Sequence, residues 1–220
     1  MSVAYEIDTI AGRKRAMRQL NWLDHGILRY RWHNFAEFEL GAYRSNHPTI
    51  ARFEDYAAMG IKTVLTLRGA PHQPQFLFEA EAEACARLGL GLECVQLAAR
   101  RAPPVDRLQM LFSKFDHMDR PFLMHCKSGA DRTGLAAATY LLEYADADLA
   151  TAKKQLSLDF IHIRRTETGI LDHFLDTYEA RFMRTGIGVR DWIGTEYSAA
   201  DLTLSFAAKQ RSLRFWQGWR

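Results

Sequence analysis

Pro121-Phe122-Leu123-Met124-His125-Cys126-Lys127-Ser128-Gly129-Ala130-Asp131-Arg132-Thr133-Gly134 joins a short apolar run to the Ala- and Leu-rich stretch Gly134–Tyr144. The run reads as a buried strand and the stretch as a helix, which leaves a polar, tight loop between them. A strand, a loop and a helix start, in that order, bring backbone N–H groups together where the helix dipole adds partial positive charge. Gly129 lets the loop curl so that backbone can approach a ligand. Arg132 offers a planar fork of donors suited to two phosphate oxygens. A cysteine in that field is expected to ionise well below the ordinary thiol range and to attack as a thiolate near neutral pH. His125 is expected to orient the loop through backbone hydrogen bonds, and Thr133 to donate its hydroxyl to the sulfur. Lys127, Ser128, Gly129 and Ala130 complete the candidate anion-binding stretch.

Outward from this loop the chain alternates strands and helices. Phe35–Arg44 reads as a first strand, stopped at Ser45-Asn46-His47-Pro48. Ala51–Met59 reads as a helix ending at Gly60, and Ile61–Leu67 as a buried β-branched strand. A helix over Glu79–Leu88 and a strand over Leu92–Leu97 follow, then a proline-marked loop and a helix over Val105–Met118. From Asp148 onward helices dominate. Strands alternating with helices predict an α/β fold, a single central and mostly parallel sheet flanked by helices, with helical extensions at both ends. The expected organisation is a basic extension over 1–35, one domain over 36–180 and a second basic extension over 181–220.

The chain has 220 residues, 48% of them hydrophobic and 25% charged, which suits one globular domain and excludes wholesale disorder. Three cysteines, Cys85, Cys94 and Cys126, are too few for a disulfide framework. The N-terminus lacks the pattern of a secretory signal, and a reducing cytoplasm is the expected compartment. The net charge of +3 is uneven. Residues 1–35 carry six Lys/Arg against three acids and 180–220 carry seven against three, and all five tryptophans lie in these flanks. Arg13, Lys14, Arg15 and Arg18 lead into Trp22, Leu23, Ile27 and Leu28; Leu202, Phe206 and Leu213 form a second stripe that ends near Trp216 and Trp219. Basic residues mixed with tryptophan suit peripheral contact with an anionic membrane. Equally, the flanks could pack their aromatics on the domain and leave the arginines solvated. No zinc spacing or recognition-helix pattern points to nucleic acid.

The string His125-Cys126, five residues, then Arg132-Thr133-Gly134 resembles the signature of cysteine-dependent protein tyrosine and dual-specificity phosphatases. Tyr43-Arg44-Ser45 before a proline, Thr63-Val64-Leu65-Thr66-Leu67-Arg68 and the order of elements are similar to the compact dual-specificity members. The resemblance covers about residues 36–180 and implies a phosphatase fold, Cys126 as nucleophile, Arg132 as phosphate clamp and the N–H groups from Lys127 to Arg132 as cradle. Rhodanese-type sulfurtransferases also hold a cysteine in an anion loop, but with one residue fewer between Cys and Arg.

The family carries its general acid, an aspartate, on a loop before the cysteine; the corresponding stretch here reads Leu97-Ala98-Ala99-Arg100-Arg101-Ala102-Pro103-Pro104-Val105-Asp106. Two candidates are left, Asp106 at the end of that loop and Asp131 beside Arg132. Arg100, Arg101 and Lys127 suit a substrate with several negative charges. No metal or other cofactor is expected, because a thiolate and an arginine suffice for this chemistry and the histidines lack metal spacing. The expected activity is phosphomonoester hydrolysis through a cysteinyl-phosphate. The substrate would be a phosphoprotein or, alternatively, a lipid or sugar phosphate. The rival from another class is a phosphate-binding module without turnover.

Overall fold

The computed structural model describes residues 32–69 and 75–217. They form two compact units. One contains the residues up to Gln96 together with Asp119–Gly129, and the other contains Leu97–Met118 together with the residues from Ala130 onward.

The first unit is a five-stranded sheet with two helices. Its strands are β1 (Ala36–Glu39), β2 (Ala42–Ser45), β3 (Thr63–Thr66), β4 (Gly91–Cys94) and β5 (Phe122–His125), in the order β1-β2-β5-β3-β4. Only the β1–β2 pair is antiparallel. The sheet is therefore mostly parallel, and the α/β class read from the alternation holds. The single first strand does not. Gly41, with φ +72°, turns the chain between β1 and β2, and Ala36 pairs with Arg44 across the hairpin. Alternation of side chains continues through both arms, so pattern alone conceals the turn.

All four residues of β3 and of β5 are buried, as expected of parallel strands covered on both faces. Helix α1 (Ile50–Ala58) contributes Phe53 and helix α2 (Gln75–Leu88) contributes Ala84 and Cys85 to one cluster with Val64 of β3. A second cluster joins Tyr56 of α1 to Leu123 of β5, with Phe35 stacked between Tyr43 and Tyr56. Register aligns Ser45, His125 and Thr66 side by side, so β2, β5 and β3 end on one edge. Carboxyl edges of this kind are where open α/β sheets bind ligands.

The second unit is helical. It holds α3 (Val105–His117), α4 (Asp131–Tyr144), α5 (Leu149–Lys153), α6 (Ile170–Thr185), α7 (Val189–Thr195) and α8 (Ala199–Gln217). Helix α3 buries Leu108, Leu111, Phe112 and Phe115, an i, i+3, i+4, i+7 stripe. Phe115 meets Tyr140 of α4 edge-on at 5.0 Å. Every residue of α4 from Thr133 to Leu141 is buried. Its small side chains permit that: a Cβ on Gly134 would stand 2.5 Å from the carbonyl oxygen of Gln155.

Part of the tryptophan-bearing C-terminal flank packs inward. Trp192 is buried against Phe174, Tyr178 and Tyr197, and Leu202 is buried as well. Residues 1–31, Trp219 and the side chains of Leu213 and Trp216 lie outside what is described, so the N-terminal stripe and the end of the C-terminal one do too. Among the described residues no helix is long and apolar enough to cross a membrane.

Candidate active site

Beyond β5 the chain forms the loop that begins at Cys126, and it enters α4 at Asp131. The helix begins three residues before the predicted start at Gly134, because Asp131, Arg132 and Thr133 belong to its first turn.

In the first unit, Cys126 is buried directly after His125, and the N–H of Gly129 donates to its Sγ at 3.3 Å. Gly129 has φ +72°, and a Cβ there would meet the backbone oxygen of Ser45 at 2.6 Å, so only glycine fits. Three successive carbonyls of this loop are held by partners outside it. The Lys127 oxygen accepts from the backbone N–H of His47 at 3.4 Å. The Ser128 oxygen accepts from the side-chain amide of Asn34 at 3.0 Å, and the Gly129 oxygen from Nη2 of Arg44 at 2.6 Å. In a planar trans peptide the C=O of one residue points away from the N–H of the next. Holding these carbonyls outward therefore turns the N–H groups of Ser128, Gly129 and Ala130 inward. Inward-facing consecutive N–H groups form an anion-binding concavity.

His125 does not orient the loop backbone as expected. Its Nε2 lies 2.5 Å from Oε1 of Glu81 on α2, both side chains are fully buried, and its Nδ1 has no hydrogen-bond partner. The ring packs edge-on against His47 at 5.0 Å. His47, Glu81 and His125 place three possible metal-ligand atoms within 4.8 Å of one another. The Glu81–His125 separation is that of a hydrogen bond; two ligands of one zinc ion would stand farther apart, at about 3.3 Å for bonds near 2.0 Å.

In the second unit, Asp131 starts α4 and its Oδ1 lies 2.8 Å from Nδ1 of His162. The other nitrogen of His162, Nε2, bonds Asp172 of α6 at 2.6 Å. Burial opposes charge on this ring, but its hydrogen bonds to Asp131 and Asp172 outweigh burial and push its pKa up to about 9. His162 is therefore an imidazolium clamped between two carboxylates at neutral pH. A cavity of about 520 Å³ opens beside it, lined among others by Lys153, Ser157, His162, Arg165 and Asp172.

Arg132 is half-buried and its Nε has no hydrogen-bond partner. The hydroxyl of buried Thr133 also has none. Asp106, in the first turn of α3, is exposed and pairs with its neighbour Arg107 at 3.4 Å. Arg100 and Arg101 are exposed; Arg100 reaches Glu167 at 3.6 Å and, with Arg165, lines a second cavity of about 480 Å³. Sequence reasoning did not find the contacts of Asn34, Arg44 and His47 with the cysteine loop, of Glu81 with His125, or of His162 with Asp131. Only the run Tyr43-Arg44-Ser45 carried a signal, and it came as a resemblance without a role.

A mostly parallel sheet that delivers a cysteine loop to the start of a helix is the arrangement of a cysteine-dependent phosphatase. Residues 40–167 match the PTP-SAK family, described as the Swiss Army Knife protein DSP-PTPase phosphatase domain, and the chain belongs to that family. It is an enzyme of the cysteine-dependent phosphatase class. Among solved structures it is similar to the core catalytic domain of the PP-IP phosphatase SIW14 from S. cerevisiae, with 19% identity and a TM-score of 0.52 over 70% of this chain and 93% of that one. It is also similar to P. aeruginosa TpbA in complex with pTyr, with 20% identity and a TM-score of 0.50 over 68% and 96%. No curated protein matches the chain in sequence.

Proposed function

We propose that this chain hydrolyses phosphomonoesters through a cysteinyl-phosphate on Cys126. The observation that carries the reading is the cradle: the N–H of Gly129 faces the sulfur while the carbonyls of Lys127, Ser128 and Gly129 are held outward. The thiolate attacks phosphorus and the P–O bond to the leaving group breaks. The loop amides and the fork of Arg132 stabilise the charge on the equatorial oxygens. An aspartic acid protonates the departing oxygen; it then takes a proton from the water that releases inorganic phosphate and restores the thiolate. Asp131 is the better candidate for that group than Asp106. It stands one residue from Arg132, and protonated His162 bonded to its Oδ1 is a proton source for it, whereas Asp106 is exposed and bonded to its neighbour. Lys127, Ser128, Ala130 and Thr133 complete the phosphate-binding stretch, and His125 leads into it from β5.

The substrate is a phosphoprotein in the simplest reading. Arg100 and Arg165 lining one cavity favour a second, a lipid or sugar phosphate with several negative charges. Of the similar structures, one is bound to pTyr and another is a PP-IP phosphatase. The proposed organisation is a phosphatase domain over 36–180 between basic extensions over 1–35 and 181–220, in the cytoplasm, with those extensions giving peripheral contact to anionic membranes and none to nucleic acid. Turnover of an aryl phosphate is the test. Hydrolysis that is lost in Cys126→Ser supports the enzyme. Tight phosphate binding with no turnover in the unaltered chain overturns it in favour of a binding module.

A further inference from the structure

Arg44 is the third residue of β2 and is wholly buried, with 0% of its surface exposed. An apolar side chain is the ordinary occupant of such a position, and a buried cation is costly unless something nearby needs it. Its Nη2 reaches the carbonyl of Gly129 at 2.6 Å, across eighty-five residues of sequence. By peptide planarity, that bond fixes the N–H of Ala130 toward the inside of the loop. The same guanidinium interacts electrostatically with Cys126. Burial lowers the pKa of Arg44 to about 9, against which the Cys126 charge works, so it remains a cation at neutral pH.

We propose that Arg44 is a positioning residue for the reaction, a fixed cation beneath the loop that holds the Gly129–Ala130 peptide in its anion-binding orientation and favours the thiolate of Cys126. The inference rests on the reading of Cys126 as nucleophile. Other ionisable groups in the same unit include His47, the hydrogen-bonded His125–Glu81 pair, Lys127, and the buried Arg52 and Arg68. His125 bonds Glu81 through Nε2, and Arg44 is a cation bonded directly to the loop backbone at Gly129. The two effects of Arg44 separate by substitution. Lysine keeps a charge but lacks the guanidinium fork, and methionine keeps the approximate length but removes the charge.

The test follows the thiolate of Cys126 by its ultraviolet absorbance against pH, each protein being compared with its Cys126→Ser counterpart, and measures orthovanadate affinity alongside. Arg44→Met should raise the thiol pKa enough to cut the thiolate fraction on the order of tenfold at mildly acid pH. Arg44→Lys should keep the thiolate fraction within about twofold and still bind vanadate at least about tenfold more weakly, since the Ala130 N–H is no longer held. A folded Arg44→Met protein with the unaltered thiol titration overturns the electrostatic role. Should Arg44→Met not fold, Arg44→Lys decides: vanadate affinity equal to that of the unaltered chain overturns the positioning role. If the unaltered chain itself has an ordinary Cys126 thiol, the nucleophile assignment fails first, which is a different result from a low thiol pKa that ignores Arg44.

Discussion

His162 makes the stability of the helical unit depend on pH in a direction that can be calculated. In the unfolded chain this histidine titrates near its ordinary value of 6.5, whereas in the folded chain it holds its proton up to about 9. Below 6.5 both states carry the proton and the stabilisation from the two carboxylates is complete. As pH rises from there, the unfolded chain gives up the proton first, and stability falls by about 1.4 kcal/mol per pH unit until the folded ring also lets go. The gap between 6.5 and about 9 corresponds to about 3 kcal/mol in all. The ring is 2% exposed, so solvent screening takes little from it. The perturbation is His162→Gln, which keeps a polar side chain and removes the titration. Urea unfolding of both proteins between about pH 6 and about pH 9.5 should show the advantage of the unaltered chain shrinking by about 3 kcal/mol, a midpoint change of about 1 M for ordinary urea slopes. Other histidines and the termini cancel in the difference. Parallel curves across that range would refute the clamped imidazolium.

Gly129→Ala and Gly41→Ala form a matched pair. Both have φ +72°, but the new methyl clashes with backbone only at Gly129, at 2.6 Å, against ordinary contact at 3.8 Å at Gly41, so Gly41→Ala should cost about 1–3 kcal/mol of strain with activity kept and Gly129→Ala should abolish turnover as well. Equal activity in the two would mean the loop tolerates the displacement. For the proton, Asp131→Asn should lose far more activity on alkyl phosphates than on nitrophenyl phosphate, while Asp106→Asn should change both by less than about threefold. The reverse pattern transfers the role to Asp106. Co-sedimentation with anionic vesicles should be strong in low salt and weak in high salt, at about 1 kcal/mol for each basic residue near the surface. Absence of binding in low salt, or binding unchanged after Arg13, Lys14, Arg15 and Arg18 are replaced by glutamine, removes the membrane.

What could be read from the sequence was local. The apolar run Phe122–His125, Gly129, and the helix behind Arg132 stand within a few residues of one another, so their geometry follows from adjacent types. Boundaries moved where polar residues sit inside regular structure, as Asp131-Arg132-Thr133 do in the first turn of α4. The hairpin at Gly41 escaped because two strands with continuous alternation look like one. The hidden part of the site is long-range. Asn34, Arg44 and Glu81 act on residues 94, 85 and 44 positions away, and His162 on Asp131 at a separation of 31. Nothing in composition or periodicity marks an arginine in a short strand as the support of a distant peptide, since burial of such a residue is decided by which strands pair.

The outward carbonyls of the loop also set an order of events during synthesis. Asn34, Arg44, His47 and Glu81 all precede Cys126 in the chain, and β2 pairs with β5 across about eighty residues. Closing so long a segment is slow compared with forming a helix turn. A ribosome emitting the chain from its N-terminus therefore presents every anchor of the cradle before the cysteine emerges. His162 and Asp172 come later in the chain, with the second unit, where His162 bonds Asp131. Until β5 docks, Cys126 is an ordinary thiol on an open strand, and a fragment that carries the whole cysteine motif but begins after residue 50 would translate the signature faithfully and build no place for phosphate.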